Sequence, residues 1–214
     1  MTHVAGTEHD PRRAGMVERQ LRRRGISDER VLAAMARVPR EAFVPPELAG
    51  VAYDDAALPI GEAQTISQPF IVATMCELLE LEGSEHVLDV GTGSGYAAAV
   101  LDELAGSVVS IERIPALAAR ARRALELTGH RRVELRVGDG SLGVADRAPF
   151  DAIAVAAATD RVPPALLEQL ILGGRMVLPR GGRRGQRLVR IVQTAGGPVE
   201  TASLACRFVP LVEG

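Results

Sequence analysis

The sequence predicts an α/β fold of the Rossmann-like, doubly wound kind: a mostly parallel seven-stranded sheet, with helices at the N-terminal end and an antiparallel hairpin closing the C-terminal edge. Three observations carry this expectation. From residue 86 to about residue 178, short apolar runs alternate with helical periods, and that alternation builds right-handed βαβ units around a parallel sheet. The run Val87-Leu88-Asp89-Val90 passes directly into Gly91-Thr92-Gly93-Ser94-Gly95 and then Tyr96-Ala97-Ala98-Ala99. A buried parallel strand turning sharply into a helix needs such text, because glycine adopts positive φ and lets a ligand approach the backbone. Beyond Gly185 the pattern changes: two apolar runs flank Ala195-Gly196-Gly197-Pro198, which reads as a hairpin.

The elements follow in order. Residues 1–9 lack hydrophobic periodicity and are expected to be a disordered lead-in. Asp10-Pro11 is an N-cap followed by a first-turn proline, opening a helix through Leu21 that Gly25 ends. Ser27-Asp28-Glu29 opens a second helix, with Val31, Leu32, Met35 and Val38 on one face until Pro39. From Glu41 to Gln68 the text is irregular and broken by Pro45-Pro46, Pro59 and Gly61; loops of that length in compact domains are usually functional or disordered, and a functional one is expected here. A third helix is predicted from Pro69 with its stop near Gly83. Strands are predicted near 86–90, 107–111, 132–137, 150–155 and 174–178, and helices near 95–105, 115–128 and 163–172, with Gly129 and Gly173 as helix stops. The hairpin strands are predicted at 188–192 and 199–209, their order in the sheet left open. The expected organisation is one domain over 10–214: a helical cap and substrate loop (10–85), a cofactor-binding core (86–184) and a closing hairpin (185–214).

Composition narrows the chemistry. With 214 residues and 47% hydrophobic content the chain can bury a full core. It has a net charge of −2, no apolar run near the ~20 residues of a membrane span, and no apolar block at its N-terminus, so a cytoplasmic protein is expected. All 25 basic residues are arginine; without lysine, Schiff-base chemistry, pyridoxal phosphate attachment and a Walker A phosphate lysine are excluded. Cys76 and Cys206 lie far apart without a ligand pattern and read as buried thiols, and no metal site is expected. Arg22-Arg23-Arg24 and Arg183-Arg184 read as solvated faces rather than a nucleic-acid surface, since aromatic residues make up only 3% of the chain. No membrane or nucleic-acid partner is expected, and a monomer is.

The glycine spacing chooses the ligand. A dinucleotide fingerprint G-x-G-x-x-G would need glycine where Tyr96 stands, which disfavours NAD. Ser107-Val108-Val109-Ser110-Ile111 ends in Glu112, near the roughly 20-residue offset of an acid that grips ribose hydroxyls. Arg132 to Val137 ends in Gly138-Asp139-Gly140, another acid at a strand's carboxyl end. Three strand ends thus offer glycine backbone, a ribose acceptor and a base-edge acceptor. This set resembles the S-adenosylmethionine site of Rossmann-like, class I methyltransferases.

The acceptor follows from missing chemistry. Methylating an amide or nucleobase nitrogen calls for polar acceptors after the fourth strand, where the chain reads Ala154-Val155-Ala156-Ala157-Ala158. A catechol-type oxygen wants a metal or a base, and His3, His9, His86 and His130 stand beside no plausible acceptor pocket in the sequence. A carboxylate, ionised at neutral pH with a pKa of about 4, needs no base and is favoured.

The segment Gly61-Glu62-Ala63-Gln64-Thr65-Ile66-Ser67-Gln68-Pro69 ends at a helix start, where free N–H groups favour an anion. With Val38-Pro39-Arg40-Glu41-Ala42-Phe43-Val44-Pro45, the turn at 88–96, Gly138-Asp139-Gly140, Ala148-Pro149-Phe150-Asp151, Gly173-Gly174-Arg175 and Arg207-Phe208-Val209-Pro210-Leu211, it closely resembles the protein-L-isoaspartate O-methyltransferases across almost the whole chain. The resemblance implies methyl transfer from S-adenosylmethionine, leaving S-adenosylhomocysteine, to the free α-carboxylate of L-isoaspartyl residues in damaged proteins or peptides, with D-aspartyl residues as a secondary acceptor class. It implies Ser67 as the active-site serine. Thr65, Ile66, Gln68, Asp89, Gly91, Thr92, Gly93, Ser94, Gly95, Glu112, Arg113, Asp139 and Gly140 would form the cofactor site; Ile60, Ser67, Gln68, Arg207, Val209 and Pro210 would contact substrate. Ala63 and Ala156 depart from the family's usual glycine and threonine. The alternatives are a relative that methylates a normal aspartate of a dedicated peptide, a nucleic-acid methyltransferase, and a non-catalytic cofactor-binding module; an N-cap role for Ser67 is the purely structural alternative.

Overall fold

The computed structural model describes residues 10–182 and 185–214; the expectations for residues 1–9 and for Arg183-Arg184 lie outside the described residues. Helix α1 (Pro11–Met16) is capped by Asp10, whose carboxylate accepts from Arg12 N at 2.8 Å. It runs on as a π turn over Val17–Leu21 and a 3₁₀ turn over Arg22–Arg24, and stops at Gly25 with φ +101°. Helix α2 (Glu29–Arg37) is capped by Asp28 through Arg30 N and Val31 N. The arginines of the 3₁₀ turn pair with acids: Arg22 with Glu29, Arg23 with Glu18 and Arg24 with Asp55.

The segment 41–68 is more ordered than its punctuation predicts. Besides 3₁₀ turns at Arg40–Phe43 and Pro46–Val51, it folds β1 (Leu58–Gly61) and β2 (Gln64–Ile66) into an antiparallel hairpin. The two turn residues, Glu62 and Ala63, have φ of +53° and +54°, as a type I′ turn requires. Because neither is the usual Asn or Gly, the hairpin carries no sequence signal. Left-handed backbone costs an alanine roughly 1–2 kcal/mol, part of which glycine gives back as unfolded-chain entropy. Ala63→Gly is therefore expected to raise stability by about 1 kcal/mol, or Tm by roughly 2–4 °C, in a thermal melt; an unchanged or lower Tm would show that the turn is unstrained.

Helix α3 (Pro69–Leu79) ends earlier than predicted, on Glu80 in the left-handed region (φ +50°) rather than near Gly83. Then come β3 (His86–Val90), α4 (Tyr96–Leu104), β4 (Ser107–Glu112), α5 (Pro115–Leu127), β5 (Glu134–Val137) and β6 (Phe150–Val155). Helix α6 covers only Pro164–Glu168, and β7 runs over Leu170–Arg180. This corrects the helix expected at 163–172: Leu170-Ile171-Leu172 is an apolar run that periodicity alone cannot assign, and Leu170 pairs with Phe150 of β6, so Gly173 lies inside a strand. The hairpin is β8 (Gln186–Thr194), longer than predicted at both ends, and β9 (Gly197–Cys206), which starts and ends earlier than predicted and leaves 207–209 outside it.

The strand order is β5-β4-β3-β6-β7-β8-β9. The first five are parallel, and β7, β8 and β9 form an antiparallel meander, which settles the order left open. Alternate side chains fall in separate apolar clusters on the two faces: Val87, Val108, Ala152 and Val177 on one, Leu88, Val109, Ile153 and Met176 on the other. Such burial on both faces is why these strands read as continuous apolar runs. From β3 the chain winds outward through β4 and β5, then returns to β6 on the other side of β3. That reversal opens a crevice at the carboxyl ends of β3 and β6, where doubly wound sheets bind ligands.

Candidate active site

The crevice holds a cavity of about 200 Å³. Its floor is the turn after β3, where Gly91 and Gly93 have φ of +92° and +55°; Gly95, with φ +91°, lies outside the lining and is turned toward Ala121 and Leu125 of α5. One wall is β4's end, with Glu112, Arg113 and Ile114, and another is Gly140 after β5; Gln64, Thr65, Ile66 and Ser67 of the hairpin and Val209 to Val212 of the tail complete it. The tail lies in place because Ala158 N donates to Val209 O at 2.8 Å and Leu211 N to Ala158 O at 2.7 Å.

Glu112 is buried, and its carboxylate accepts from Gly93 N at 2.8 Å and Ile114 N at 3.0 Å. Those bonds use two of a carboxylate's roughly four acceptor positions, leaving capacity for a vicinal diol. At Gly140 a Cβ would meet the Val90 side chain at 2.5 Å, so only glycine gives this close approach. Apolar Val72, Ile111, Ile114 and Leu211 line the same space and suit the face of a purine. The donor set therefore fits an adenosyl group.

Asp89 lies beneath the turn rather than in the cavity. It is 1% exposed, and Thr92 donates to Ser110 Oγ at 2.5 Å, which in turn donates to Asp89 Oδ2 at 2.6 Å. Burial pushes the carboxyl up to about 6, nearby Glu112 adds to the rise, and the Ser110 hydrogen bond opposes it. An acid whose pKa is raised on folding stabilises the protein fully below the ordinary Asp range near pH 4, and that contribution is lost as pH rises through about 6. In urea titrations, the stability of the parent relative to Asp89→Asn is expected to fall between about pH 4 and 6 and level off above, by at most about 3 kcal/mol at ~1.4 per unit. A difference independent of pH would contradict the burial of a titrating carboxyl here.

Asp139 also stands outside the cavity lining. Burial alone would raise its pKa, but hydrogen bonds from the Ser141 hydroxyl, Gly214 N and Ser141 N win and hold it below the usual carboxylate range. Gly95 is the N-cap of α4, and Ile60 is buried behind the glycine turn, its Cδ1 3.6 Å from where a Cβ of Gly93 would stand.

A second cavity of about 240 Å³ opens beside the first, lined by Gln68, Ile71, Arg207 and Phe208 among others. The two share Thr65, Ser67, Ala156 and Val209, so Ser67 stands in the wall between them. Helix α3 takes Gln68 as its N-cap and no side chain caps it; the Ser67 hydroxyl is thus not spent on capping. In the first turn Pro69 has no N–H and Ile71 N donates to Gln68 O at 3.0 Å, which leaves Phe70 N as the donor without a side-chain acceptor. Val72, Tyr96 and Leu211 of the first cavity and Phe208 of the second were not picked out as site residues by the sequence. Leu211, Phe208 and Tyr96 adjoin predicted ones, which is the only signal they carried.

Among the described residues no cluster of His, Cys, Asp and Glu could hold a metal ion, and no helix is long and apolar enough to cross a membrane. Cys76 is buried, its thiol pushed up to about 12 by burial and by Asp89 and Asp28, whereas Cys206 is only half-buried, on the rim of the second cavity, which corrects its reading as a buried thiol.

A switch-point crevice with a G-x-G-x-G turn, a ribose-competent acid and an adjoining second pocket defines a class I S-adenosylmethionine-dependent methyltransferase. The sequence profile described as protein-L-isoaspartate(D-aspartate) O-methyltransferase matches residues 12–214, and the chain belongs to that family. It is 54% identical over 210 residues to a protein-L-isoaspartate O-methyltransferase of Methanoculleus marisnigri, covering 96% of this chain and 94% of that protein. It is 57% identical over 205 residues to a protein-L-isoaspartate O-methyltransferase 2 of Marinobacter nauticus, covering 95% and 93%. A solved protein-L-isoaspartate O-methyltransferase superposes with a TM-score of 0.84 at 30% identity, covering 94% of this chain and 66% of that one.

Proposed function

We propose that this chain transfers a methyl group from S-adenosylmethionine to the free α-carboxylate of L-isoaspartyl residues, and to the side-chain carboxylate of D-aspartyl residues, in damaged proteins and peptides. Family membership supplies the substrate. One observation carries the chemistry: Ser67 lies in the wall shared by a cavity suited to an adenosyl group and a second pocket open to solvent.

S-adenosylmethionine, when bound, supplies a methyl already activated on a sulfonium, so the protein's work is alignment and desolvation of the acceptor. In this reading Gly91, Gly93 and Gly140 provide close backbone, Gly95 shapes the turn into α4, Glu112 accepts from the ribose, and Thr92, Ser94, Thr65, Ile66 and Arg113 enclose the rest. Asp89 acts from below by bracing Thr92 through Ser110, and Asp139 is assigned to the cofactor through the family resemblance. The acceptor carboxylate is ionised at neutral pH and needs no base. The Ser67 hydroxyl donates to it, and the start of α3, with no side-chain cap, favours its charge.

Gln68, Arg207, Val209 and Pro210 would hold the flanking peptide, extended between the hairpin loop at 58–68 and the segment 206–211; Ile60, within that loop, anchors it against the glycine turn. Once formed, the ester is a better leaving group than the carboxylate. The next backbone nitrogen then closes a succinimide with loss of methanol, and hydrolysis of the ring restores some normal aspartate. The unit that does this is one methyltransferase domain over 10–214, the cap and loop supplying the acceptor side and the core the donor side.

The test is incubation with labelled S-adenosylmethionine and paired peptides differing only in Asp or isoAsp. Base-labile methyl on the isoAsp peptide alone is the expected result. Methyl on the Asp peptide alone would shift the reading to a dedicated aspartate acceptor, and label on neither would overturn it.

A further inference from the structure

Among the described residues Arg40 is the largest wholly buried side chain, at 0% exposure. It opens the 3₁₀ turn Arg40–Phe43, and none of the ion pairs among the described residues includes it. A buried cation without a carboxylate partner is a costly way to fill a core, and an apolar side chain of similar volume often serves stability as well or better. Its contacts say what the guanidinium does instead. Nε donates to Ala52 O at 2.8 Å and Nη2 donates to Ser67 O at 2.8 Å. Its central carbon sits 4.9 Å from the ring centroid of Tyr96, the first residue of α4 and part of the cofactor cavity's lining.

Ala52 and Ser67 bracket the 53–66 segment that carries the β1–β2 hairpin together with Thr65 and Ile66. One rigid, planar fork therefore holds both ends of that loop at a fixed separation, which a flexible ammonium with its point charge cannot do. We propose that Arg40 is a positioning residue: its buried guanidinium closes the base of the 53–66 loop, orients Ser67 toward the acceptor, and ties that loop through Tyr96 to the turn that holds the cofactor. The inference rests on the role given to Ser67 above.

Arg40→Lys keeps the charge and loses the fork; Arg40→Gln loses both. For each, calorimetry with S-adenosylhomocysteine gives affinity and sites per chain, and kinetics on an isoaspartyl peptide give kcat and KM per binding site. For Arg40→Lys the expected result is one site per chain, an affinity within about threefold of the parent, and kcat per site lower by about tenfold or more with KM moving less. In a Ser67→Ala background the same substitution is expected to change kcat by less than about threefold, since its effect passes through Ser67.

An Arg40→Lys enzyme with kcat per site within about twofold of the parent, or an equal loss in both backgrounds, overturns the proposal. So does failure of both variants to bind S-adenosylhomocysteine, which makes Arg40 a residue of the core alone. A parent that leaves the isoaspartyl peptide unmethylated overturns the functional reading as well, whereas a parent that methylates it and an Arg40→Lys variant that does so as fast overturn this inference alone.

Discussion

Ser67→Ala is expected to lower kcat on an isoaspartyl peptide by roughly 10- to 100-fold while leaving the affinity for S-adenosylhomocysteine within about threefold. A hydrogen bond to a charged group contributes about 1.5–3 kcal/mol, and each ~1.4 kcal/mol of barrier is tenfold in rate. Because the acceptor is an anion that must be held in line with the methyl, losing that bond affects orientation as well as binding. The cofactor contacts proposed for Glu112 and the glycine turn lie on the far side of the shared wall and do not depend on the hydroxyl. Single-turnover methyl transfer together with calorimetry checks both halves. Unchanged turnover would remove Ser67 from the reaction, and an equal loss of cofactor affinity would make it part of the donor site instead.

The second large effect is expected at Glu112. Glu112→Ala should weaken S-adenosylhomocysteine binding by about 10- to 100-fold, from loss of charge-assisted hydrogen bonds to the ribose. It should also lower unfolding stability by roughly 1–3 kcal/mol, because the N–H groups of Gly93 and Ile114 lose the carboxylate they donate to. Glu112→Gln, which keeps one oxygen acceptor, is expected to fall between the two. Calorimetry and urea unfolding read these separately. An alanine variant that binds the cofactor product as well as the parent would show that the cavity's acid does not grip the ribose.

How far the sequence reached depends on whether local chemistry or distant pairing decides an element. Asp10, Asp28, Pro11 and Gly25 act within a few residues of themselves, so the N-terminal helices were legible. The strands β3, β4 and β6 are buried on both faces and read as apolar runs for that reason. Where an outcome needed a partner from elsewhere, reading along the chain fell short. Leu170 to Leu172 suits a helix as well as a strand until Phe150 claims it, and the β1–β2 hairpin turns on two residues that sequence rules would not choose.

The candidate site divides the same way. Gly91, Gly93, Glu112 and Gly140 could be named because each sits at a strand end with a recognisable spacing. Asp139 could be named too, but its carboxylate faces Ser141 and the chain's last amide, which no spacing reveals. Nothing about Val72 distinguishes it from any other apolar helix residue until the crevice brings it to the cavity, whereas Tyr96 follows Gly95 directly and marked only the break in the dinucleotide pattern.

By itself, the amino-acid sequence determined the fold class, the kind of cofactor and the family, because glycine φ freedom, helix caps and strand-end acids are local properties written in consecutive residues. Only the tertiary structure decided that Ser67 stands between two cavities and that a buried Arg40 holds the carbonyls of Ala52 and Ser67. Those are relations between segments many residues apart, and they exist only once the closing sheet and its apolar faces have brought the segments together.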